Sequence, residues 1–307
     1  GNAGPGIFIF GDSRNVKVDV YDNLVGTNQD FDQNLGNDGE GIRVEPNPSA
    51  NADQTQVTDN VIGNNGGEGI DIRGSHHEVA NNFVGAAPDN TDIGNAGRGI
   101  RVGNGSGRLE AVNLGGNLSD QYLPGDGRAA GSPTPSGTGN VIGYNSASGI
   151  GVVGKASGLK IEQNYVGTTP GGDDIGNGTA GIFINGDGNS STGHVVGYGY
   201  GENGTYPWTV PLGAPSPSDG GVGNVIGFND GEGVALASGT QDVSVRGNTI
   251  FQNSGLLGNL GIDLSRAAKE HSRWAAMCEG VCSLYKIACW ECPTELFVSR
   301  PTKSKPN

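Results

Sequence analysis

A short apolar pattern recurs along most of the chain: a glycine followed by two apolar residues that flank a single variable residue. Aligned on its first apolar residue, the pattern occurs eight times, at positions 7, 42, 70, 100, 150, 182, 234 and 262. Alternation with a period of two is typical of a β-strand, and it places the variable residue on the opposite face from its apolar neighbours. Four of the seven steps are close to thirty residues, which indicates a repeat of about that length.

A second motif lies between successive Gly-Ile pairs and consists of asparagine, two apolar residues and usually glycine. It reads NLVG, NVIG, NFVG, NVIG, NYVG, NVIG and NTIF, starting at positions 23, 60, 82, 140, 164, 224 and 248. A weaker strand pattern precedes it, for example at 16–18, 56–58, 159–161 and 243–245. Three short strands per repeat, separated by Gly, Asn and Asp, predict a solenoid in which each repeat makes one coil.

We therefore predict an all-β fold for residues 1–265, a right-handed parallel β-helix of about eight coils. The hand follows from the general preference for right-handed connections between parallel strands. The asparagine that heads the second motif is predicted to stack on its equivalent in the next coil and to satisfy turn amides there. This predicted ladder contains Asn23, Asn60, Asn82, Asn140, Asn164, Asn224 and Asn248.

The coils alternate in type. The NLVG, NFVG and NYVG motifs lead into acidic loops that end in Gly-Asn, whereas the NVIG motifs lead directly to the next Gly-Ile pair. The repeating unit is therefore a pair of coils. Two insertions, at about 115–139 and 198–223, each precede an NVIG motif. We expect both insertions to leave the solenoid at the same corner, two coils apart.

The series NYVGTTPGGDDIGNGTAGIFI and NVIGYNSASGIGV resembles the paired-coil repeats of bacterial secreted and cell-surface right-handed parallel β-helix proteins, in the pectate-lyase-like superfamily. The resemblance covers about residues 1–265. It implies the fold and an extracellular or cell-surface location. That superfamily includes adhesins, cell-wall proteins, polysaccharide lyases and hydrolases, so the resemblance does not select one activity.

The composition changes abruptly after residue 265. The tail at 266–307 holds 7 of the 18 basic residues but only 4 of the 32 acidic ones, together with all four cysteines. Its sequence is compatible with a helix, whereas the family that the repeats resemble continues with acidic β sequence. The tail is predicted to cap the solenoid, or else to be a frameshifted or fused sequence. Two disulfides and a zinc site both stay open for Cys278, Cys282, Cys289 and Cys292.

The net charge of −14 limits the classes of partner. Nucleic acids and anionic membranes both require clustered Lys and Arg, so neither is expected. No stretch of 18 apolar residues is present, so no membrane span is expected. The chain begins inside a repeat, and its lack of a signal peptide therefore carries no information about secretion.

Three kinds of chemistry are candidates. The first is calcium, because Asp92, Asp173 and Asp174 lie in equivalent oxygen-rich loops. The alternative is that these carboxylates cap turns. No other cofactor is expected.

The second is polysaccharide cleavage. The variable residues of successive Gly-Ile strands are Arg43, Asp71 and Arg101, with Glu68 beside them. Lyases on this fold need a basic residue near acidic metal ligands, and hydrolases need a pair of carboxylates at a set separation. The alternative is a ladder of salt bridges on a solvated face. The characteristic catalytic clusters of pectate lyases and polygalacturonases are not found in the sequence.

The third is glycan binding by aromatic residues in the insertions. These are Tyr122 in the first insertion and Tyr198, Tyr200, Tyr206 and Trp208 in the second. The alternative is that these aromatic rings pack against the solenoid and hold the inserted loops in place. The sequence thus predicts an extracellular structural or surface scaffold that engages a polysaccharide or cell-surface glycan through its inserted loops. A polysaccharide lyase or hydrolase of the same superfamily is the alternative function.

Overall fold

The computed structural model describes ten segments of the chain, residues 1–11, 17–46, 54–103, 109–110, 112–115, 139–186, 191–197, 223–237, 239–254 and 260–264. Within these segments the regular elements are β-strands and no helix occurs. The strands form four sheets, and neighbouring strands within each sheet run parallel to one another. The predicted all-β parallel solenoid is therefore confirmed.

The Gly-Ile strands form the longest sheet, sheet A. It contains β1 (Ile7–Gly11), β4 (Ile42–Pro46), β7 (Ile70–Ile72), β10 (Ile100–Val102), β14 (Ile150–Val153), β18 (Ile182–Asn185), β22 (Val234–Leu236) and β26 (Ile262–Asp263), in this order. Equivalent residues stack in register, for example Ile42 on Ile70 and Ile70 on Ile100. These isoleucines are fully buried, so the first apolar residue of each strand points inward as predicted.

The weaker strand pattern forms sheet B. It contains β2 (Lys17–Tyr21), β5 (Gln54–Thr58), β8 (Glu78–Ala80), β12 (Asn113–Gly115), β16 (Lys160–Glu162), β20 (Val195–Gly197) and β24 (Ser244–Arg246). A short additional sheet D precedes it in four coils, with β11 (Leu109–Glu110), β15 (Ala156–Ser157), β19 (Ser191–Thr192) and β23 (Thr240–Gln241). Sheet D was not predicted, because its two-residue strands are too short to show alternation.

The Asn-headed motifs form sheet C. It contains β3 (Leu24–Val25), β6 (Val61–Ile62), β9 (Phe83–Val84), β13 (Val141–Ile142), β17 (Tyr165–Val166), β21 (Val225–Gly227) and β25 (Thr249–Phe251). Each coil thus contributes one strand to sheets A, B and C in turn. We call coils with β3, β9 and β17 looped coils, because an acidic loop follows the sheet C strand. Coils with β6, β13 and β21 are loopless coils.

The predicted asparagine ladder is confirmed at the corner between sheets B and C. The Nδ2 group of each ladder asparagine donates to Oδ1 of its equivalent in the next coil, for example Asn140 to Asn164 at 2.8 Å and Asn164 to Asn224 at 2.9 Å. The same Nδ2 group of Asn164 also donates to the backbone oxygens of Leu114 and Glu162. Buried turn carbonyls of two coils are thereby satisfied by one side chain.

A second asparagine ladder, which the sequence analysis missed, runs along the corner between sheets C and A. It contains Asn2, Asn37, Asn65, Asn95, Asn145, Asn177, Asn229 and Asn253. The donor–acceptor distances between successive side chains are like those of the first ladder, 2.8 Å for Asn37 to Asn65 and 3.0 Å for Asn145 to Asn177. In both ladders each side-chain amide donates to the asparagine of the next coil toward the C-terminal end of the solenoid. The donor-to-acceptor direction is therefore the same in the two ladders.

Among the described residues no helix is long and apolar enough to cross a membrane. The prediction of a helix-compatible tail at 266–307 lies outside the described residues.

Candidate functional site

The outer surface of sheet A carries the charged residues that the sequence singles out. Strand register places Arg43 beside Asp71 and Asp71 beside Arg101 on successive coils. Alternation along the strands adds Glu45 and Arg73 to the same surface, and the residues before the Gly-Ile glycine add Glu40, Glu68 and Arg98. We call these eight residues the charged face.

Salt bridges join the whole charged face into one chain of alternating sign. At its ends, Arg43 pairs with Glu40 at 3.6 Å and also with Glu45, and Arg98 pairs with Glu68 at 3.3 Å. Arg73 bridges Glu45 and Asp71, at 3.3 and 2.9 Å. Arg101 bridges Asp71 and Glu68, at 3.3 and 4.0 Å. Four arginines thus balance four carboxylates.

Asp71 is buried at the centre of this chain. Its side chain is 0% exposed, because Arg73 and Arg101 cover it from the coil itself and from the next one. The prediction that the variable residues form a solvated face is therefore wrong at Asp71. Burial raises the pKa of this carboxyl, while the Arg101 and Arg73 guanidiniums act in the opposite direction. The sequence could not show this, since exposure here depends on how two long side chains fold over a third.

The geometry of the charged face suits a structural role better than catalysis. A hydrolase needs two carboxyl groups that flank a bound sugar, and a lyase needs a base with access to the substrate. Here each of the four carboxylates contacts a guanidinium, and Asp71 is closed off from solvent. The face therefore resembles the predicted salt-bridge ladder. The catalytic roles considered for Arg43, Glu68, Asp71 and Arg101 stay predictions.

Replacing Asp71 is expected to destabilise the solenoid more than replacing Glu68. Asp71→Asn keeps the shape but leaves two half-buried guanidiniums without their shared carboxylate, which we expect to cost about 2 kcal/mol. Glu68→Gln alters a carboxylate that is 21% exposed, so its cost should stay below about 1 kcal/mol. Urea unfolding measures both values. Repeating the measurement in about 1 M salt should remove the cost of Glu68→Gln and leave the cost of Asp71→Asn unchanged. A cost of Asp71→Asn that disappears in 1 M salt, as that of Glu68→Gln does, would contradict this interpretation.

The N-terminal end of the same sheet carries an aromatic pair that the sequence analysis did not single out. Phe8 and Phe10 are 53% and 59% exposed, and their ring centroids are 6.0 Å apart. The Arg43 guanidinium lies 5.6 Å from the Phe8 centroid, so the charged face continues into the aromatic pair through a cation–π contact. The signal was present in the alternation of IFIF, where both phenylalanines occupy outward positions.

The acidic loops hold the candidate calcium ligands, and there the carboxylates cap turns. Asp92 accepts a hydrogen bond from the backbone of Gly94 at 2.9 Å, and Asp174 accepts one from Gly176 at 3.1 Å. Asp173 accepts the Thr169 hydroxyl at 2.8 Å and the Asn90 amide at 2.9 Å.

These loops lie close enough together to share an electrostatic environment. Burial raises the pKa of the Tyr144 hydroxyl, and the carboxylates of Asp92, Asp174 and Asp173 act in the same direction. The part of the chain that the structure describes contains no group of three or more His, Cys, Asp or Glu side chains placed to hold a metal ion. Calcium at these loops stays a prediction.

Two histidines are buried on the inner side of the coils, next to sheet B. The backbone N–H of Thr55 donates to Nδ1 of His77 at 3.2 Å, and that of Leu159 donates to Nδ1 of His194 at 3.4 Å. Nε2 of His194 lies 2.8 Å from the Ser191 hydroxyl. Burial lowers the pKa of each ring to about 4, so both are neutral at pH 7.

Both insertions leave the solenoid at one corner, between sheets B and C. The first separates β12 from β13 and the second separates β20 from β21. In sheet B only β16 lies between β12 and β20, and in sheet C only β17 lies between β13 and β21. The two insertions are therefore anchored two coils apart, roughly 10 Å at the strand spacing of a parallel sheet.

The remaining candidate residues lie outside the described segments. These are the aromatic residues Tyr122, Tyr198, Tyr200, Tyr206 and Trp208, and the cysteines Cys278, Cys282, Cys289 and Cys292. Their roles stay predictions.

No protein-family model matches this chain, and no curated protein sequence matches it. Two solved structures are similar to it. They are A-modules of mannuronan C-5 epimerases from Azotobacter vinelandii, AlgE6 (13% identity, TM-score 0.28) and AlgE4 (14% identity, TM-score 0.31). The matches cover 87% and 88% of this chain, and 59% and 79% of the two modules.

Proposed function

We propose that this protein is an extracellular or cell-surface structural β-solenoid of bacterial origin that binds a glycan through its two inserted loops. The observation that carries the proposal is the shared corner: both insertions leave between sheets B and C, two coils apart. A rigid scaffold that holds two neighbouring loops can present them to one extended ligand. Multivalent contact of this kind suits a polymer, because adjacent sugar units can be bound at once.

The composition of the loops supports a carbohydrate ligand. Their five aromatic residues, Tyr122, Tyr198, Tyr200, Tyr206 and Trp208, combine an apolar ring with a polar group. Such side chains can stack on the apolar face of a sugar and hydrogen-bond to its hydroxyls. The charged face of sheet A does not compete for this role, since its carboxylates and guanidiniums are already paired with one another.

The structure of the uninserted coils shows how to remove the loops without disturbing the solenoid. In those coils two residues link sheets B and C. The first has a left-handed backbone, with φ of 60° at Asp59, 57° at Asn81 and 61° at Gln163. The second is the ladder asparagine. Replacing residues 116–139 and 198–223 by one asparagine each would therefore restore the common link, because asparagine tolerates this backbone region.

A glycan array tests the proposal with four proteins: the full chain, each single-loop replacement and the double replacement. We expect the full chain to bind one class of polysaccharide and the double replacement to lose that binding, while both melt at similar temperatures. Binding that survives the double replacement would contradict the role of the loops. Incubation of the bound polysaccharide with the full chain, followed by ultraviolet detection of unsaturated sugars and an assay for new reducing ends, should give no product. Product formation would instead favour the lyase or hydrolase alternative.

A further inference from the structure

Two asparagines of the second ladder, Asn65 and Asn177, are each followed by glycine. Asparagine is chemically labile, and it loses its amide most readily before glycine, which has no side chain to hinder attack by its own backbone nitrogen. In the first ladder each asparagine is followed by a bulkier residue, such as Val61 after Asn60. The two ladders therefore differ in chemical reactivity, although their hydrogen bonds are alike.

Loss of the amide proceeds by ring closure. At Asn65 the Gly66 nitrogen attacks Cγ of the side chain, so that an N–Cγ bond forms and the Cγ–Nδ2 bond breaks. Nδ2 leaves as ammonia and takes up the proton of the Gly66 N–H. One water molecule then opens the cyclic imide to aspartate, or to isoaspartate, in which the main chain runs through the side-chain carbon. The reaction therefore requires a glycine N–H without an acceptor, a side chain that can turn toward it, and water.

The folded coil denies all of these conditions to Asn65. The Gly66 N–H donates to the carbonyl oxygen of Asn37 at 2.7 Å. The Asn65 side chain is held on both sides, because it accepts the Asn37 amide at 2.8 Å and donates to Asn95 at 2.9 Å. Asn65 is only 1% exposed, so water does not reach it.

Asn177 is held in the same way three coils further on. The Gly178 N–H donates to the carbonyl oxygen of Asn145 at 2.8 Å. The Asn177 side chain accepts the Asn145 amide at 3.0 Å, and it donates to Asn229 at 2.9 Å and to the Ile142 carbonyl at 3.1 Å. Its exposure is 0%. Ring closure at either site requires that the coil first open.

The reaction product cannot rejoin the ladder. A carboxylate at position 65 has no N–H to donate to Oδ1 of Asn95, and it would place a buried negative charge against that oxygen. Isoaspartate also lengthens the main chain by one carbon, which moves the following residues out of register with their neighbours. Either product therefore prevents the opened coil from closing as before.

We propose that Asn65 and Asn177 are latent modification sites, which the folded solenoid keeps inert and which react with their own glycines once their coils open. Coils of a folded protein open locally from time to time and close again. Conversion of either asparagine makes one such opening irreversible, because the ladder is then interrupted in its interior. This behaviour is independent of glycan binding by the inserted loops.

Peptide mapping by mass spectrometry tests the first half of the proposal. The full chain is kept in mildly alkaline buffer, with one sample folded and the other in denaturant. We expect Asn65 and Asn177 to lose their amides in denaturant and to keep them in the folded sample over the same period. Asn60 should keep its amide in both samples. Loss at Asn65 that is equally fast in both samples would overturn the proposal, as would loss at Asn60 that keeps pace with it in denaturant.

Two substitutions test the effect of the product on the fold. Asn177→Asp reproduces the aspartate product and should lower the melting temperature by more than about 5 °C. Asn185→Asp is the matched control, because Asn185 also precedes a glycine but is half-buried at the end of β18 and belongs to neither ladder. It should change the melting temperature much less. An Asn177→Asp variant that melts like the original chain would overturn the proposal.

A third variant connects the chemistry to refolding. Other coils hold Ala96 or Ser146 after the ladder asparagine, with the same backbone hydrogen bond, so alanine is compatible with this place. Gly66→Ala with Gly178→Ala should lose the ladder amides several-fold more slowly in denaturant and should recover more native protein on dilution. In the original chain, the fraction that does not refold should be enriched in modified Asn65 and Asn177. Modification at equal levels in the refolded and unrefolded fractions would contradict the proposal, whether or not the alanine variant folds.

Discussion

Replacing Asn164 by alanine is expected to lower the free energy of unfolding by roughly 4 kcal/mol or more, the largest single effect in the described solenoid. The side chain of Asn164 accepts from the backbone and side-chain amides of Asn140 and donates to Asn224, Leu114 and Glu162. Alanine removes all five contacts, of which the two N–H hydrogens of Nδ2 share three, and it leaves every partner buried except the partly buried Glu162 carbonyl. Each such partner costs about 1–3 kcal/mol when water cannot reach it.

The first rung of the same ladder provides the control. Asn23 donates to Tyr21 and Asn60 from a partly exposed position, so water can replace these bonds in Asn23→Ala. We expect a cost of about 1 kcal/mol there. Chemical denaturation of both variants measures the difference, provided that the dependence of unfolding free energy on denaturant concentration is the same for both. A loss at Asn164 no larger than that at Asn23 would show that the ladder contributes little to stability.

Acid is expected to destabilise the protein as the pH falls from about 6.5 to 4, and the buried histidines should account for a large share of the loss. The unfolded rings titrate near 6.5, whereas burial lowers the pKa of His77 and of His194 to about 4. The unfolded chain therefore binds protons more tightly in this range. Stability is complete above the unfolded pKa and declines as the pH drops, by roughly 3 kcal/mol for each histidine.

The double variant His77→Leu and His194→Leu isolates this contribution. Leucine and valine already occupy the equivalent inward position of other coils, at Val112, Leu159 and Val243, all of them buried. Replacement should cost stability at pH 7, because the N–H groups of Thr55 and Leu159 lose their acceptors. It should also flatten the dependence of unfolding free energy on pH between 6.5 and 4.

The control for the histidine experiment is His76→Asn. His76 is exposed and has φ of 63°, a backbone region that asparagine tolerates. This variant should keep the full pH dependence of the original protein. If the double leucine variant also keeps it, the acid sensitivity has its origin in the carboxylates instead.

The features that the sequence predicted well are those that depend only on repetition. The Gly-Ile strands, the first asparagine ladder and the pairing of coils all follow from the same residue type returning at the same place. Because equivalent positions of a parallel solenoid stack on one another, recurrence in sequence translates directly into contact. Asn60 on Asn82 and Ile70 on Ile100 are examples.

The second ladder was equally periodic but was concealed by its surroundings. Seven times an asparagine stands five residues before the isoleucine or valine of the Gly-Ile strand, from Asn2 to Asn229. Each of these asparagines is flanked by the Gly, Asn and Asp residues that any turn would contain. The local composition therefore did not distinguish a ladder asparagine from an ordinary turn asparagine. Alignment on the isoleucine, with attention to fixed offsets, would have found it.

The burial of Asp71, His77 and His194 was not predicted, because the equivalent positions of other coils hold residues of different types. Asp71 stands in a sheet A column that holds Arg43 and Arg101 in the two neighbouring coils. His77 and His194 follow segments of unequal length between sheets A and B, so alternation does not determine which way they point. Their environments depend on individual side chains in neighbouring coils, which is tertiary information.

The packing of Ile93 over Gly63 and of Ile175 over Gly143, in each case between a looped coil and the loopless coil before it, has a consequence for how such a chain can change length. Losing one loopless coil would place two looped coils in contact, and the isoleucine of the second would face the acidic loop of the first instead of a loopless coil. Losing or duplicating two coils keeps every Ile93-type contact intact. Genetic variation in this solenoid should therefore be tolerated in pairs of coils, whereas the corner between sheets B and C already holds an insertion within a single coil at two places.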